Sequence, residues 1–134
     1  MAIRTYLDSG VLISAWRGIP ARKIKALTIL NDLQREFVCA PFVNLEVLPK
    51  PLCFGLNKEV EFYENYFAEV SVWVEDFAAL YNEGMLQGAK YGLGAIDALH
   101  IAAAILAQAD EFITAERPTS PPLRVTDVKT WTIY

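Results

Sequence analysis

Four carboxylates in this chain stand beside apolar segments. Asp8 closes the run Ile3 to Leu7, Glu46 lies in VNLEVLP, Asp97 opens the nearly continuous apolar stretch from Ala98 to Ala107, and Glu116 follows FITA in FITAERP. A charge in such company is costly unless something pairs with it. Gathered at one mouth, four carboxylates repel unless they share protons or a divalent cation. The chemistry that fits the set is a magnesium or manganese site, since both ions take hard oxygen ligands. His100 lies one helical turn after Asp97 and could touch that site, although a lone histidine on a buried helix is more often a hydrogen-bonded core residue.

Each acid also has a plain structural explanation. Asp8 could be a turn residue before Ser9, with Ser9 capping a short helix in GVLISAW. Asp97 could favour the dipole at a helix start, and Glu46 and Glu116 could be surface charges. The case for chemistry rests on the four together. Rival constellations fail on particular residues. Ser9 stands in Asp-Ser-Gly, without a nucleophile elbow. Gly10 occupies the place where a phosphatase of the haloacid-dehalogenase type needs a second aspartate. Gly92 and Gly94 precede a helix with no strand immediately before it, so no phosphate-binding glycine fingerprint is present.

The elements that must position these acids are visible in the apolar patterning. Short apolar or alternating runs predict strands at Ile3 to Leu7, Phe37 to Ala40, Val70 to Val74, Glu111 to Thr114 and Leu123 to Val125. Between them, Pro20 begins a helical pattern with Ile24, Leu27, Leu30 and Leu33 on a stripe. Asn57 begins another with Val60, Tyr63 and Phe67, and Asp76 caps a third that runs toward Gly92. The segment after Ala95 is apolar almost all round, the pattern of a helix buried against a sheet. Alternating strands and helices predict an α/β fold, a three-layer α/β/α sandwich on a mainly parallel five-stranded sheet with right-handed crossovers. Ligands bind beyond the C-terminal ends of the strands in such sheets, where Asp8 and Glu116 fall. The strand order is not readable from spacing.

The 134 residues, 54% of them hydrophobic, fit one domain spanning 1–134. Charged and polar residues interrupt both the start and the most apolar helix, which predicts a cytoplasmic protein with no membrane association. Cys39 and Cys53 are too few for a zinc cage and read as reduced core residues. The net charge of −4, from 12 basic and 16 acidic side chains, makes a poor general binder of nucleic acid. A bound cation would reverse the sign locally and admit phosphates. Arg17, Arg22, Lys23 and Lys25 form a local basic cluster, open to two readings: a solvated helix face or an RNA contact.

Nearly the whole chain resembles the PIN domains, in particular the single-domain VapC-like ribonucleases. YLDSGVLI is similar to their opening strand and first acid, FVNLEVL to the second acidic motif, GLGAIDALHIAAAI to the third and EFITAERP to the last. The third block is the most specific. The resemblance implies that Asp8, Glu46 and Asp97 bind Mg2+ or Mn2+ and that Thr114 is the polar residue ending the fourth strand, with Ser9 and Thr114 orienting the carboxylates. Glu116 stands where the family usually has aspartate or asparagine, and the family's aromatic a few residues later is missing from RPTSPPL. The implied activity is metal-assisted hydrolysis of RNA, as the toxin of a toxin-antitoxin pair, by a homodimer blocked by a small antitoxin. The alternative is a catalytically weak or inactive module of the same fold that binds RNA or a protein.

Overall fold

The computed structural model of the chain describes residues 2–134. Its centre is β1 (Ile3–Leu7), whose burial deepens along the strand until Tyr6 and Leu7 are sealed from water. The chain then forms α1 (Ser9–Arg17), α2 (Pro20–Leu30), β2 (Arg35–Cys39), α3 (Pro41–Val47), α4 (Pro49–Cys53) and α5 (Asn57–Glu69). It continues through β3 (Val72–Trp73), α6 (Phe77–Tyr91), α7 (Ala95–Leu106), β4 (Glu111–Thr114) and β5 (Lys129–Thr132). All four pairings in the five-stranded sheet are parallel, and the strand order is β3-β2-β1-β4-β5. α1 packs against α2 and α5, and α6 packs against α7; with the usual right-handed crossovers this strand order puts the two groups on opposite faces.

The connection from β1 leads toward β2 and that from β4 leads toward β5, so the chain diverges between two neighbouring strands. That divergence opens a crevice at their C-terminal ends. Beneath it Tyr6 pairs with Phe112 in the ladder, and their rings stack at 5.7 Å between centroids. Ala102, Ala103 and Ala104 are fully buried and let α7 lie close to the sheet. The turn into α7 depends on Gly92, which ends α6 in the left-handed region at φ 68°, where a side chain would be strained. At the start of α6 the Asp76 carboxylate accepts from the Ala79 amide at 3.0 Å.

The opposite edge of the sheet is fastened by Glu111. Its buried carboxylate accepts from the Thr5 hydroxyl at 2.7 Å, from Arg35 at 2.9 Å and from the Trp131 indole at 2.9 Å. One side chain thus ties β1, β2, β4 and β5 together.

Several expectations need correction. The strand expected at Leu123–Val125 is instead a 3-10 turn over Pro121–Arg124, because two successive prolines hold φ near the helical value and supply no amide to a ladder. The fifth strand is Lys129–Thr132, at the sheet edge, where Lys129 is exposed and Thr130, Trp131 and Thr132 are only half-buried. Glu46 sits on α3, a helix the apolar run did not reveal, and Pro41 and Pro49 open α3 and α4 at their first positions. The expected stripe on α2 is only half right. Ala26 and Ile29 are buried, whereas Ile24 is 66% exposed, and Leu33, beyond the helix end at Asn31, is 99% exposed. Cys39 is buried, and burial pushes its thiol up to about 12, but Cys53 at the end of α4 is exposed rather than part of the core.

Candidate active site at the C-terminal edge of the sheet

Asp8 is the first residue beyond β1. Its amide donates to the Ile113 carbonyl at 3.1 Å, which continues the ladder for one more residue, and its Oδ1 accepts from the Val11 amide at 3.2 Å. Asp8 is therefore the N-cap of α1, and Ser9 is the first helical residue rather than the cap. Gly10 keeps this turn tight, since a Cβ there would stand 3.3 Å from Asp8 Oδ1.

The other acids arrive from separate elements. Glu46 projects from α3, which starts just beyond the end of β2, and Asp97 lies in the first turn of α7. Glu116 is two residues past Thr114, the last residue of β4, whose buried hydroxyl accepts the Glu116 amide at 3.1 Å. All four carboxylates thus rise at the same edge of the sheet.

Electrostatics links them. Burial raises Asp8 from 3.8 to about 6, with Glu116 adding to the rise while His100, the Thr114 hydroxyl and the Val11 amide oppose it. The half-buried Asp97 is raised by desolvation first, then by Glu116 and Glu46, against the opposing pull of His100. Both aspartates therefore feel negative charge from the neighbouring glutamates, as groups sharing one site do.

His100 answers the question left open by its position. It is buried, as a core histidine would be, and it also reaches the acids: Nε2 lies 2.8 Å from Glu46 Oε1, and Nδ1 lies 2.8 Å from the Tyr6 hydroxyl. Of the basic cluster, Arg17 is committed to an ion pair with the buried Glu59, which also accepts from the Tyr63 hydroxyl at 2.9 Å. Arg17 and Lys50 nonetheless line a small cavity with Glu46. Arg22 lies over the Tyr134 ring at 4.1 Å, and Arg117 approaches the same ring at 5.8 Å. Lys23 and Lys25 are exposed. Arg117 lies in the EFITAERP block next to Glu116, whereas Tyr134 carries no motif, and only the return of β5 beside the Glu116 loop brings the two together.

The four acids offer only oxygen donors, and Glu116 repels both aspartates, a combination that suits a small hard cation retaining several of its waters. Among the described residues no three His, Cys, Asp or Glu side chains are gathered closely enough to cage a metal ion by themselves. The four acids are brought to one edge from four separate segments, after β1, on α3, on α7 and after β4.

A family model for the PIN domain matches residues 5–117. Among solved structures, a chain of a toxin-antitoxin complex from Klebsiella pneumoniae superposes with a TM-score of 0.72 at 18% identity, over 97% of this chain and 98% of that chain. A chain of VapBC2 from Rickettsia felis, bound to a DNA fragment from their promoter, superposes with a TM-score of 0.64 at 10% identity, again over 97% and 98%. At those identities the likeness is one of fold. No curated protein gives a significant match. The family model covers most of the chain, and the parallel five-stranded sheet agrees with it: the chain belongs to the PIN domain family.

Proposed function

We propose that this protein is a magnesium- or manganese-dependent endoribonuclease, the toxin of a VapBC-like pair. The observation that carries the reading is electrostatic: Asp8 and Asp97, from different elements, are both raised by burial and by the same neighbour, Glu116, at the switch point of the sheet. A divalent cation relieves that repulsion, and when bound it supplies a water of lowered pKa and polarises a phosphoryl oxygen.

In this proposal Asp8, Asp97 and Glu46 are the metal ligands, and Glu116 adds charge or a fourth ligand. The side chains of Ser9 and Thr114 hold the carboxylates in orientation. Arg22, with Lys23 and Lys25 beyond it, binds backbone phosphates of the RNA, while Arg17 contributes from the cavity beside Glu46. A small antitoxin covers the site, for which the exposed Leu45 of α3 and Leu52 and Phe54 at the end of α4 offer apolar surface. A homodimer uses α6, where Phe77, Tyr81 and Met85 are exposed at helical spacing. Among the described residues no single helix is long and apolar enough to cross a membrane, and we place the protein in the cytoplasm.

The test is cleavage of single-stranded RNA by the purified protein in magnesium or manganese. Wild type should cut, and Asp8→Asn should abolish cutting while circular dichroism and melting show an intact fold. A second reading, a module that binds RNA or protein without cutting, is favoured by one observation, the absence of a ready-made metal cage among the described residues. Wild-type protein that binds RNA and never cuts it at any metal concentration, with antitoxin contamination excluded, would establish that reading.

A further inference from the structure

His100 sits where the three elements bearing the proposed metal ligands meet. Tyr6 is two residues before Asp8 on the same side of the first strand's path, Phe42 is four residues before Glu46 on one face of α3, and His100 is three residues after Asp97 on one face of α7. The imidazole packs edge to face against Tyr6 at 5.7 Å and against Phe42 at 5.0 Å. Its two nitrogens are both engaged, Nδ1 with the Tyr6 hydroxyl and Nε2 with Glu46, each at 2.8 Å. The ring therefore has neither rotational freedom nor a spare polar atom.

Only one hydrogen arrangement satisfies this chain for a neutral ring. An ionised Glu46 can only accept, so Nε2 carries the hydrogen; Nδ1 is then the acceptor, and the fully buried Tyr6 hydroxyl donates to it. A phenol is protonated at neutral pH, so the Tyr6 hydroxyl is able to donate. A core histidine with a purely structural task would find both partners in the interior. This one joins a sealed phenol to a carboxylate that is partly exposed at the mouth.

We propose that His100 is a positioning residue: its Nε2–H fixes the Glu46 carboxylate in the direction of Asp8 and Asp97, and the Tyr6 hydroxyl fixes the tautomer that makes this possible. The inference rests on the metal-site reading above, because it assigns to Glu46 an orientation that matters for binding a cation. Histidine and carboxylate are joined in the inverse of the usual metal-site order, in which a carboxylate orients a ligating histidine. Here the carboxylate is the ligand and the histidine its support.

The chain contains a single histidine, so its imidazole nitrogens can be observed without assignment ambiguity. Long-range 1H–15N correlation on the metal-free protein should show the Nε2–H tautomer in wild type. In Tyr6→Phe, which keeps the ring, the spectrum should move toward a mixture of tautomers. Manganese affinity, read by the loss of free-ion electron spin resonance signal, supplies the second arm. His100→Leu should weaken binding about 10- to 100-fold, the range for removing an orienting partner. His100→Gln, whose amide can still donate to Glu46, should recover most of that loss, and Tyr6→Phe should fall between. A Nδ1–H tautomer in wild type overturns the inference whatever the metal does. Equal manganese affinity in wild type, His100→Leu and His100→Gln overturns it too. Wild-type protein that shows the Nε2–H tautomer but binds no manganese overturns the metal-site reading, and with it the role given to Glu46, while leaving the Tyr6–His100–Glu46 hydrogen bonds in place.

Discussion

Leu7 stands beside Ile113 in the parallel ladder of β1 and β4, so the chain leaves both strands at the same level. Asp8 follows one residue after Leu7, and Glu116 three residues after Ile113. A shift of one residue in this register would turn the side chains of one strand to the opposite faces of the sheet and separate the two acids. The meeting of Asp8 and Glu116 is therefore a property of strand pairing, fixed before any ligand arrives.

The raised pKa of Asp8 makes metal-free stability depend on pH in a definite direction. Its carboxyl titrates at about 6 in the folded chain against 3.8 in the unfolded one, so between those values the folded state holds more protons. Stability must then fall as pH rises from about 4 to about 6, by about 3 kcal/mol for Asp8 alone, and Asp97 is shifted in the same direction. Asp8→Asn should flatten that profile and make the metal-free protein more stable at pH 7, since asparagine caps a helix as well as aspartate does. Urea unfolding at pH 4, 5 and 7 in a chelator measures both. A profile that climbs through this window would contradict the assignment.

Magnesium or manganese should raise the melting temperature, because a ligand held only by the native state adds stability by mass action, about 2.7 kcal/mol at a hundredfold excess over Kd. Asp97→Asn should reduce that response while raising the melting temperature without metal. Thermal melts with and without the ion compare the two proteins, and an identical metal response would count against Asp97 as a ligand.

Glu116 raises both aspartates, so its charge should matter more than its length. Glu116→Gln should lower the titration of Asp8, seen in its carboxyl carbon shift, and should damage RNA cleavage more than Glu116→Asp does. The reverse ranking would mean that the reach of the glutamate is what the site uses.

Arg22 and Arg117 approach Tyr134 from two elements and form no ion pair among the described residues. Replacing either with alanine should weaken RNA binding across sequences and reduce the slope of log affinity against log salt by about 1. Unchanged slopes in both variants would move the RNA path elsewhere.

How much of this could be read from the chain differs by residue. β1, β4 and α7 were plain because they are buried on nearly every side, and burial leaves a continuous apolar signature in Tyr6-Leu7, Phe112-Ile113 and Ala102 to Ala104. β5 was hidden because an edge strand such as KTWT answers to water on one side and loses that signature. The short α3 offers barely two turns of pattern, so VNLEVLP looked like an apolar run and Glu46 had no helix beneath it. The placement of Asp8 and Glu116 just beyond strand ends was foreseeable from the alternation of strands and helices. The partner of His100 was not, since the contact with Glu46 joins residues 54 positions apart through a helix that the patterning did not disclose.

The Glu111 fastening has a consequence for how this fold can vary. Three donors from three strands converge on one carboxylate at the end of the sheet away from the acids, so cohesion and reactivity occupy opposite poles of the molecule. A lineage could exchange the residues at the mouth, retuning or silencing the chemistry, while its scaffold endured. Loss of the Glu111 charge would do the reverse, leaving Arg35 with Asp32 alone and the Trp131 indole without its acceptor beside an intact set of acids.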